Sequence, residues 1–422
     1  MRKQTCLIII LLIACIILGS CNAAHANLDD QDVTIKILTT GNDAGIKTVL
    51  NLMADVFNSE HEHVKAEIVM IPEFRNIDDT YDTINTKISV KGEIDLLWLW
   101  DSTDLWRYQE RDLLEDLTPY IEKSVDYSLD RMVPGVVKCF QKDGGFYGLS
   151  PWFSIDSLGG KASQIGEKAG WTTEELLRWF QNHPDCKGEM GLYPDFVLNY
   201  FFLPGNLERY VDFEQRKAYF DGEDFRSLLQ SIKALPLDKT MYAETWYDDQ
   251  ARDYVRLELI RVNNLESYCN LLKVYGEEAC IKGFPTIDGL PRHYMSAPCL
   301  AMLKNGDHKE EAYQFMEFVQ LRFPEYFQGN SLWTDRELLE QSLSNVTSKD
   351  PKEEADKGIR RLSDKEAEAL RTVINTLEVQ SLESKKIIQI VIEEIWPYFS
   401  GGKSLDDVCA IIQGRAQLLL DE

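Results

Sequence analysis

The sequence of 422 residues has few basic residues and no second long apolar segment. It carries 45 Lys and Arg against 70 Asp and Glu, a formal charge of −25 at neutral pH. Nucleic-acid binding requires basic patches that neutralise phosphates, so this balance argues against a nucleic-acid partner. Beyond the first 21 residues, no stretch has the ~20 apolar residues that a membrane helix needs. Nothing else in the chain is therefore predicted to span a membrane.

The sequence also lacks the common motifs of cofactor and metal sites. No CxxC, His-Glu-x-x-His, Gly-x-Ser-x-Gly or GxGxxG occurs. Residues 401–404 end like a P-loop, but the first glycine and the leading strand are missing. His61 and His63 flank Glu62 in a predicted surface connector. We therefore expect no metal and no cofactor.

Nine cysteines are present, and six of them lie beyond the first 21 residues. Their spacing is unlike that of a zinc site, and their flanks are mostly apolar. Buried free thiols are the preferred interpretation, and a disulfide between Cys269 and Cys280 is the alternative.

The first 21 residues have the layout of a secretory signal. A basic start is followed by the apolar residues 6–18 and by small residues before Cys21. Leu18-Gly19-Ser20-Cys21 resembles a bacterial lipobox, in which the cysteine is lipidated and becomes the mature N-terminus. We expect residues 1–20 to be a signal peptide, Cys21 to be lipidated and residues 21–32 to be a tether, with an uncleaved anchor as the alternative. Either outcome predicts a membrane-anchored protein on the extracytoplasmic face.

Strand and helix patterns alternate after the tether. Strands are predicted at residues 33–38, 64–71 and 94–99, with helices at 46–57 and 81–90 between them. This βαβ order predicts an α/β sheet, and about 400 residues predict two domains. Further on, residues 251–275 read as helical, and Thr172 and Ser404 read as helix N-caps.

Short segments in a fixed order carry a resemblance to a known family. The stretch most like that family is Leu113-Leu114-Glu115-Asp116-Leu117-Thr118-Pro119-Tyr120, and the others are residues 55–58 with 64–69, 92–97, 147–151, 283–289, 308–316 and 411–417. No one segment is specific, and the order of all seven carries the resemblance. This order resembles the family 1 extracellular solute-binding proteins of bacterial ABC importers, typified by maltose-binding protein. The resemblance covers nearly all of residues 33–422.

The resemblance implies a type II periplasmic-binding-protein fold, with two α/β lobes joined by crossing hinge strands. Lobe 1 would hold residues 33–148 plus 299–325, and lobe 2 residues 152–295 plus 330–422. It also implies a monomeric binding protein, not an enzyme, that captures a sugar or oligosaccharide by hinge closure and delivers it to the ABC permease. Two alternatives stay open: a surface lipoprotein enzyme such as a glycoside hydrolase, and a ligand-binding sensor partner.

Candidate ligand contacts are aromatic and acidic residues, since ring faces cover sugars while carboxylates bind their hydroxyls. Ligands of α/β sheets bind beyond the carboxyl ends of strands. This rule selects Trp100 and Asp101 after the central strand and Asp43 after the first. Core packing is the alternative for Trp100, and turn chemistry for Asp43.

Four further candidates lie in the segments that the resemblance assigns to lobe 2. By the resemblance, Trp152 follows the first crossing and Tyr294 precedes the return crossing. Trp246 and Tyr247 precede two aspartates and form an aromatic–acid cluster. The alternative for Trp152 is packing in the hinge.

Overall fold

The computed structural model describes residues 32–40, 44–72, 77–246, 253–276, 278–327, 329–349 and 360–421. The predicted signal peptide, Cys21, Asp43 and Tyr247 lie outside these residues. In chain order the strands are β1 Val33–Thr40, β2 Val64–Ile71, β3 Leu96–Leu99, β4 Gln141–Lys142, β5 Gly145–Phe146, β6 Ser154–Lys161, β7 Val211–Asp212, β8 Lys217–Ala218, β9 Glu258–Val262, β10 Ala279–Ile281, β11 His293–Ser296, β12 Cys299–Met302 and β13 Leu377–Glu378.

Helices surround the strands. They are α1 Ala44–Glu60, α2 Ile77–Ile88, α3 Ser102–Gln109, α4 Thr118–Lys123, α5 Pro134–Phe140, α6 Ala162–Ile165, α7 Thr173–Asn182, α8 Pro194–Val197, α9 Leu203–Asn206, α10 Glu223–Lys233, α11 Leu265–Tyr275, α12 Lys309–Tyr326, α13 Arg336–Val346, α14 Asp364–Asn375, α15 Leu382–Phe399 and α16 Leu405–Asp421. Among the described residues, no helix combines the length and the apolar character needed to cross a membrane.

The first sheet has the order β12-β3-β1-β2. Strands β1, β2 and β3 are parallel, whereas β12 is antiparallel to β3. All four residues of β3 are buried, as expected of a central strand covered on both faces. The predicted β1–α1–β2–α2–β3 order is confirmed. Because β1 and β3 are parallel neighbours, their carboxyl ends lie at the same edge of the sheet.

The second sheet is built around β6. Strands β9, β10 and β11 all pair antiparallel with β6, and β13 extends the sheet beside β11 in parallel. The prediction of a helix over residues 251–275 is wrong in part, because Glu258–Val262 forms β9 and α11 begins only at Leu265. Ile260 and Val262 are buried, whereas Leu259 and Arg261 are exposed, which is the two-residue period of a strand.

Two predicted helix starts are confirmed. Thr172 Oγ1 accepts the Glu175 backbone N–H at 3.2 Å, and the Glu175 carboxylate accepts the Thr172 N–H at 2.7 Å. This capping box satisfies two backbone donors that the first turn of α7 leaves unpaired. Ser404 Oγ likewise accepts the Asp407 N–H at 3.1 Å ahead of α16.

The chain crosses between the sheets where residues 149–153 run beside two other segments. Leu149 and Leu300 exchange backbone hydrogen bonds of 3.0 and 2.8 Å. On the other side, the Phe153 N–H donates to the Leu332 carbonyl at 2.9 Å. Three extended segments therefore connect the two halves of the molecule.

Two apolar clusters form the core. The larger packs against the first sheet and one face of the second, and the smaller covers the opposite face of the second sheet. The six cysteines of the described residues are buried and unpaired, as preferred from their flanks: Cys139, Cys186, Cys269, Cys280, Cys299 and Cys409. Burial raises the pKa of each thiol, to about 12 for Cys139.

Candidate functional site

A pocket lies at the carboxyl ends of β1 and β3, and we call it the strand-end pocket. The Trp100 indole N–H donates to the Thr40 carbonyl at 2.8 Å, so the last residue of β1 holds the ring that follows β3. The cavity measures about 160 Å³, and its polar lining includes Thr39, Thr40, Tyr81, Trp100, Asp104 and Tyr108. This is the edge at which ligands of parallel sheets bind.

One side of the strand-end pocket combines an acid, a phenol and a cation. The Tyr81 hydroxyl donates to Asp104 Oδ1 at 2.8 Å, and the Arg107 guanidinium lies 3.8 Å from the centre of the Tyr81 ring. Burial raises the pKa of Asp104, the Tyr81 hydrogen bond partly offsets this, and the Asp101 carboxylate raises it further. The Asp104 side chain is about one-quarter exposed and accepts the Tyr81 hydroxyl at the wall of the pocket.

Asp101 links the first sheet to the C-terminal helices. One of its oxygens accepts the Thr103 N–H at 2.7 Å and so caps α3. The other pairs with the Lys385 ammonium of α15 at 2.9 Å. Burial alone would raise the pKa of Asp101, but Lys385 and the Thr103 bond outweigh it and hold the pKa below its usual value. Asp101 is therefore ionised at neutral pH.

The second sheet contributes another ion pair near Asp101. Arg261 of β9 binds both carboxylate oxygens of Asp156 of β6, at 2.6 and 3.0 Å. The Asp156 bond raises the pKa of Arg261, burial opposes it, and the Asp101 carboxylate contributes to the rise. Charged groups from both sheets therefore act on one another across the gap between them. We call Asp101, Lys385, Asp156 and Arg261 the bridging charges.

Tyr294 lies directly beside the bridging charges. It pairs with Asp156 across β11 and β6, and its hydroxyl donates to the Pro204 carbonyl at 2.5 Å. Burial raises the pKa of Tyr294 well above its usual range. Next to it, Arg292 Nε lies 3.3 Å from the Glu378 carboxylate.

A larger groove of about 490 Å³ runs along the other flank of α3. It lies between Trp106 and Glu110 of α3, Lys142 of β4, and the connection from β13 to α15. The Lys142 ammonium is 5.8 Å from the Trp106 ring centre and 3.8 Å from the Glu110 carboxylate. Helix α3 therefore has a cavity on each side, both with an aromatic ring and carboxylates.

The sequence-predicted candidates lie in three different environments. Trp100 lines the strand-end pocket, Asp101 next to it pairs with Lys385, and Tyr294 lies beside Asp156 in the second sheet. Trp152 packs in the crossing, where its ring stacks on Phe323 at 4.6 Å between centroids. This placement matches the hinge-packing alternative, and a ligand contact for Trp152 stays a prediction.

Trp246 lies in the interior of the second-sheet half. Its side chain is 1 % exposed, and the Arg256 guanidinium lies 3.9 Å from its ring centre. Arg256 is fully buried and pairs with Glu258 at 3.1 Å. Burial raises the pKa of Glu258 despite Arg256, Tyr275 and Trp246 around it. In this arrangement the indole covers a buried cation and presents no open face to a ligand.

Sequence reasoning did not select Tyr81, Asp156, Arg261 or Lys385. Tyr81 lies inside a helical pattern, Arg261 lies in a strand that was read as helix, and Lys385 is 284 residues from its partner. No local motif marks such positions. The alternation of burial in β9 points Arg261 away from the core, but it is visible only in the folded chain.

Other polar clusters do not form a reactive centre. In the part of the chain that the structure describes, no three His, Cys, Asp or Glu side chains are placed to hold a metal ion. Ser157 Oγ and His293 Nδ1 lie 2.9 Å apart, but both residues are buried in the second sheet, and burial lowers the pKa of His293 to about 4. No substrate can reach this pair in the observed arrangement.

Known structures reproduce this architecture over nearly the whole chain, although no protein-family model matches the sequence. The sugar-binding protein MalE of Xanthomonas citri is 18% identical, with a TM-score of 0.63 over 92% of this chain and 98% of that chain. The maltose/maltodextrin-binding domain MalE of Bdellovibrio bacteriovorus, solved with maltotriose, is 12% identical, with a TM-score of 0.57 over 92% and 100%. The GacH receptor of Streptomyces glaucescens, solved unliganded and with acarbose, is 14% identical, with a TM-score of 0.56 over 93% and 99%.

These neighbours define the fold of the chain. It is the two-lobed α/β fold of the maltose-binding-protein-like solute-binding proteins, and the fold predicted from the resemblance is confirmed. The gap between the sheets therefore corresponds to the cleft between two lobes. We refer below to the first-sheet half as the first lobe and the second-sheet half as the second lobe.

Proposed function

We propose that this protein is the substrate-binding protein of an ABC importer and captures a sugar or oligosaccharide in the cleft between its lobes. The first lobe would comprise residues 33–148 and 299–325, and the second residues 152–295 and 330–422. Closure about the crossing segments would enclose the ligand, because a ligand that contacts both lobes favours the closed state. The closed form would then dock on the permease, and a lipid on Cys21 would hold it nearby.

The observation that carries this proposal is the pairing of charges around the cleft. The acids described at its edge have cationic partners: Asp101 with Lys385, Asp156 with Arg261, Asp104 with Arg107, and Glu378 with Arg292. Paired charges of this kind leave little net charge to select an ionic ligand. Their remaining lone pairs and N–H groups suit a neutral, hydroxyl-rich molecule. The Trp100 ring supplies an apolar face that such a ligand also needs.

The structural neighbours support the same conclusion. They are binding proteins rather than enzymes, and those described above were solved with maltotriose or acarbose, or are named for sugar binding. The glycoside hydrolase and sensor alternatives have no comparable support.

A ligand screen tests the proposal directly. Purified protein lacking residues 1–20 is titrated with maltotriose, acarbose and other oligosaccharides, and with tripeptides as the comparison, while Tm and heat of binding are recorded. A ligand that binds only the native state raises Tm by mass action, so at least one carbohydrate should give a saturable rise. Saturable binding of peptides with none of any carbohydrate would refute the sugar assignment. Release of new reducing ends during incubation would favour an enzyme.

The anchor is tested separately. Mass spectrometry of the mature N-terminus from the membrane fraction should show an acylated Cys21, and Cys21→Ala should release the protein from that fraction. An unmodified N-terminal Met1 in membranes would identify an uncleaved anchor.

A further inference from the structure

A second cavity of about 270 Å³ lies in the second lobe, against one face of α7. We call it the α7 pocket, and its main lining residues are Lys168, Trp171, Arg178, Trp179, Asn182 and Lys282. It shares no lining residue with the strand-end pocket or with the groove beside α3. The pocket is therefore distinct from the cleft.

The α7 pocket holds a buried cation that forms no ion pair with the described residues. Lys282 is 7 % exposed, and its ammonium donates to the Lys168 backbone carbonyl at 2.7 Å. The ammonium also lies 5.3 Å from the centre of the Trp171 ring. No described carboxylate forms an ion pair with it, and burial lowers the pKa of Lys282. An ammonium with one neutral acceptor retains two donors that an anion could accept.

Arg178 adds a second uncompensated charge at the mouth of the pocket. Arginines elsewhere in this acidic chain are paired, as Arg209, Arg371 and Arg415 illustrate. Arg178 alone among the arginines that the structure describes makes no ion pair or hydrogen bond with another residue. Its guanidinium is exposed and carries the planar donor fork that fits carboxylate and phosphate oxygens.

The one acid in the lining, Glu175, offsets only part of this positive charge. Glu175 lies one turn before Arg178 on α7, but its carboxylate accepts the Thr172 N–H at 2.7 Å in the capping box. Lys168, Arg178 and Lys282 outnumber Glu175 in the lining, so the pocket is locally positive in a protein of formal charge −25. Such a charge is opposite in sign to the general field of the protein and attracts anions.

We propose that the α7 pocket is a second ligand site, which binds a small organic anion through Lys282, Arg178 and Lys168. The anionic group is a carboxylate or a phosphate, which both match the available donors. The Trp179 ring, half-buried beside the charges, provides an apolar surface for the remainder of the ligand. The charged side chains at the cleft are paired with one another and suit a neutral ligand. The basic side chains of the α7 pocket form no ion pairs with other described residues and suit an anion.

Two anions of defined chemistry test this site on the mature protein. Sodium phosphate and sodium D-glucuronate are titrated at constant ionic strength, and binding is followed by calorimetry and by Tm. At least one should bind saturably with a stoichiometry of one, and more weakly as salt is raised. Binding of glucuronate alone identifies a carboxylate ligand, and binding of phosphate alone identifies a phosphate ligand.

Variants locate the binding. Arg178→Gln changes an exposed residue and should reduce affinity by about tenfold or more, since hydrogen bonds to charged groups are strong. The Lys282→Met variant, if it folds, should also bind the anion about tenfold or more weakly. Arg415→Gln removes the same charge from α16 and should leave affinity unchanged.

The test separates this site from the proposed sugar site. Anion binding should persist in Trp100→Ala, and loss in that variant would place the anion in the cleft and overturn the proposal. No saturable binding of either anion, or equal affinity in Arg178→Gln, would also overturn it. None of these results bears on carbohydrate binding.

Discussion

Two tryptophans with the same sequence signature have opposite environments. Trp100 and Trp246 are each followed by acidic residues, yet Trp100 lies at the edge of the cleft and Trp246 lies inside the second lobe. Trp100 follows a buried parallel strand, which delivers it to the sheet edge. Trp246 lies on the buried Arg256, whose charge requires partners within the fold. The neighbouring sequence suggests a ligand site in both cases, and the adjoining elements decide which one lines a pocket.

The largest expected effect tests the interior member of this pair. Trp246→Ala removes a fully buried indole and the ring over Arg256, so we expect a loss of about 3–5 kcal/mol in the free energy of unfolding. Urea unfolding followed by circular dichroism measures it. Trp396→Ala is the matched control, because Trp396 is exposed on α15 and its truncation should change stability little. Equal losses in the two variants would contradict the interior placement.

A second test concerns another buried side chain of the second lobe, His293 of β11. Burial lowers the pKa of His293 from 6.5 to about 4, so the folded state favours the neutral ring. Its contribution is complete above pH 6.5 and is lost as the pH falls from 6.5 to about 4, by on the order of 3 kcal/mol. The stability difference between wild type and His293→Gln, followed from pH 8 to pH 4, should shift in favour of the variant by this amount. Parallel pH profiles would show that His293 titrates normally in the folded chain.

A third test concerns the member of the pair at the cleft. Trp100→Ala should weaken carbohydrate binding by about tenfold or more, because the ring supplies a rigid apolar face at the strand-end pocket. Calorimetric titration measures the affinity, and Trp396→Ala should bind as wild type does. Full affinity in Trp100→Ala would contradict a ligand contact for Trp100.

The smallest expected effect concerns the bridge between lobes. Both Asp101 and Lys385 are about one-third exposed, so solvent screening limits their ion pair. A double-mutant cycle with Asp101→Asn and Lys385→Met should give a coupling energy of about 0.5 kcal/mol. Asparagine keeps the cap of α3, so the cycle reports the charge interaction rather than the helix start. A coupling energy of zero at low salt would show that the pair does not hold the lobes.

Local patterns were sufficient for much of the fold. The first three strands, the helices between them and the capping box of α7 follow from periodicity and from short-range hydrogen bonds. Strand β9 was missed because five residues within a mixed apolar and charged stretch read as readily as helix. It becomes a strand because β6 offers an edge for pairing.

Less of the candidate site than of the fold could be predicted from the sequence. Trp100 and Asp101 could be placed because they directly follow a recognisable central strand. The ion pair of Asp101 with Lys385 joins residues 284 positions apart, and only the folded chain brings them together. The burial of Trp246 depends in the same way on Arg256, whose need for partners is not visible from its neighbours.

The six buried thiols can report where and when segments of the folded protein open to solvent. Their raised pKa values keep the reactive thiolate scarce in the folded state, so a small alkylating reagent should modify them mainly when a segment opens. Cys299 lies in β12 of the first sheet, whereas Cys409 lies in α16 within the smaller apolar cluster. The order in which the cysteines acquire label, read by peptide mass, would therefore report which lobe loosens first and how far a bound ligand delays it.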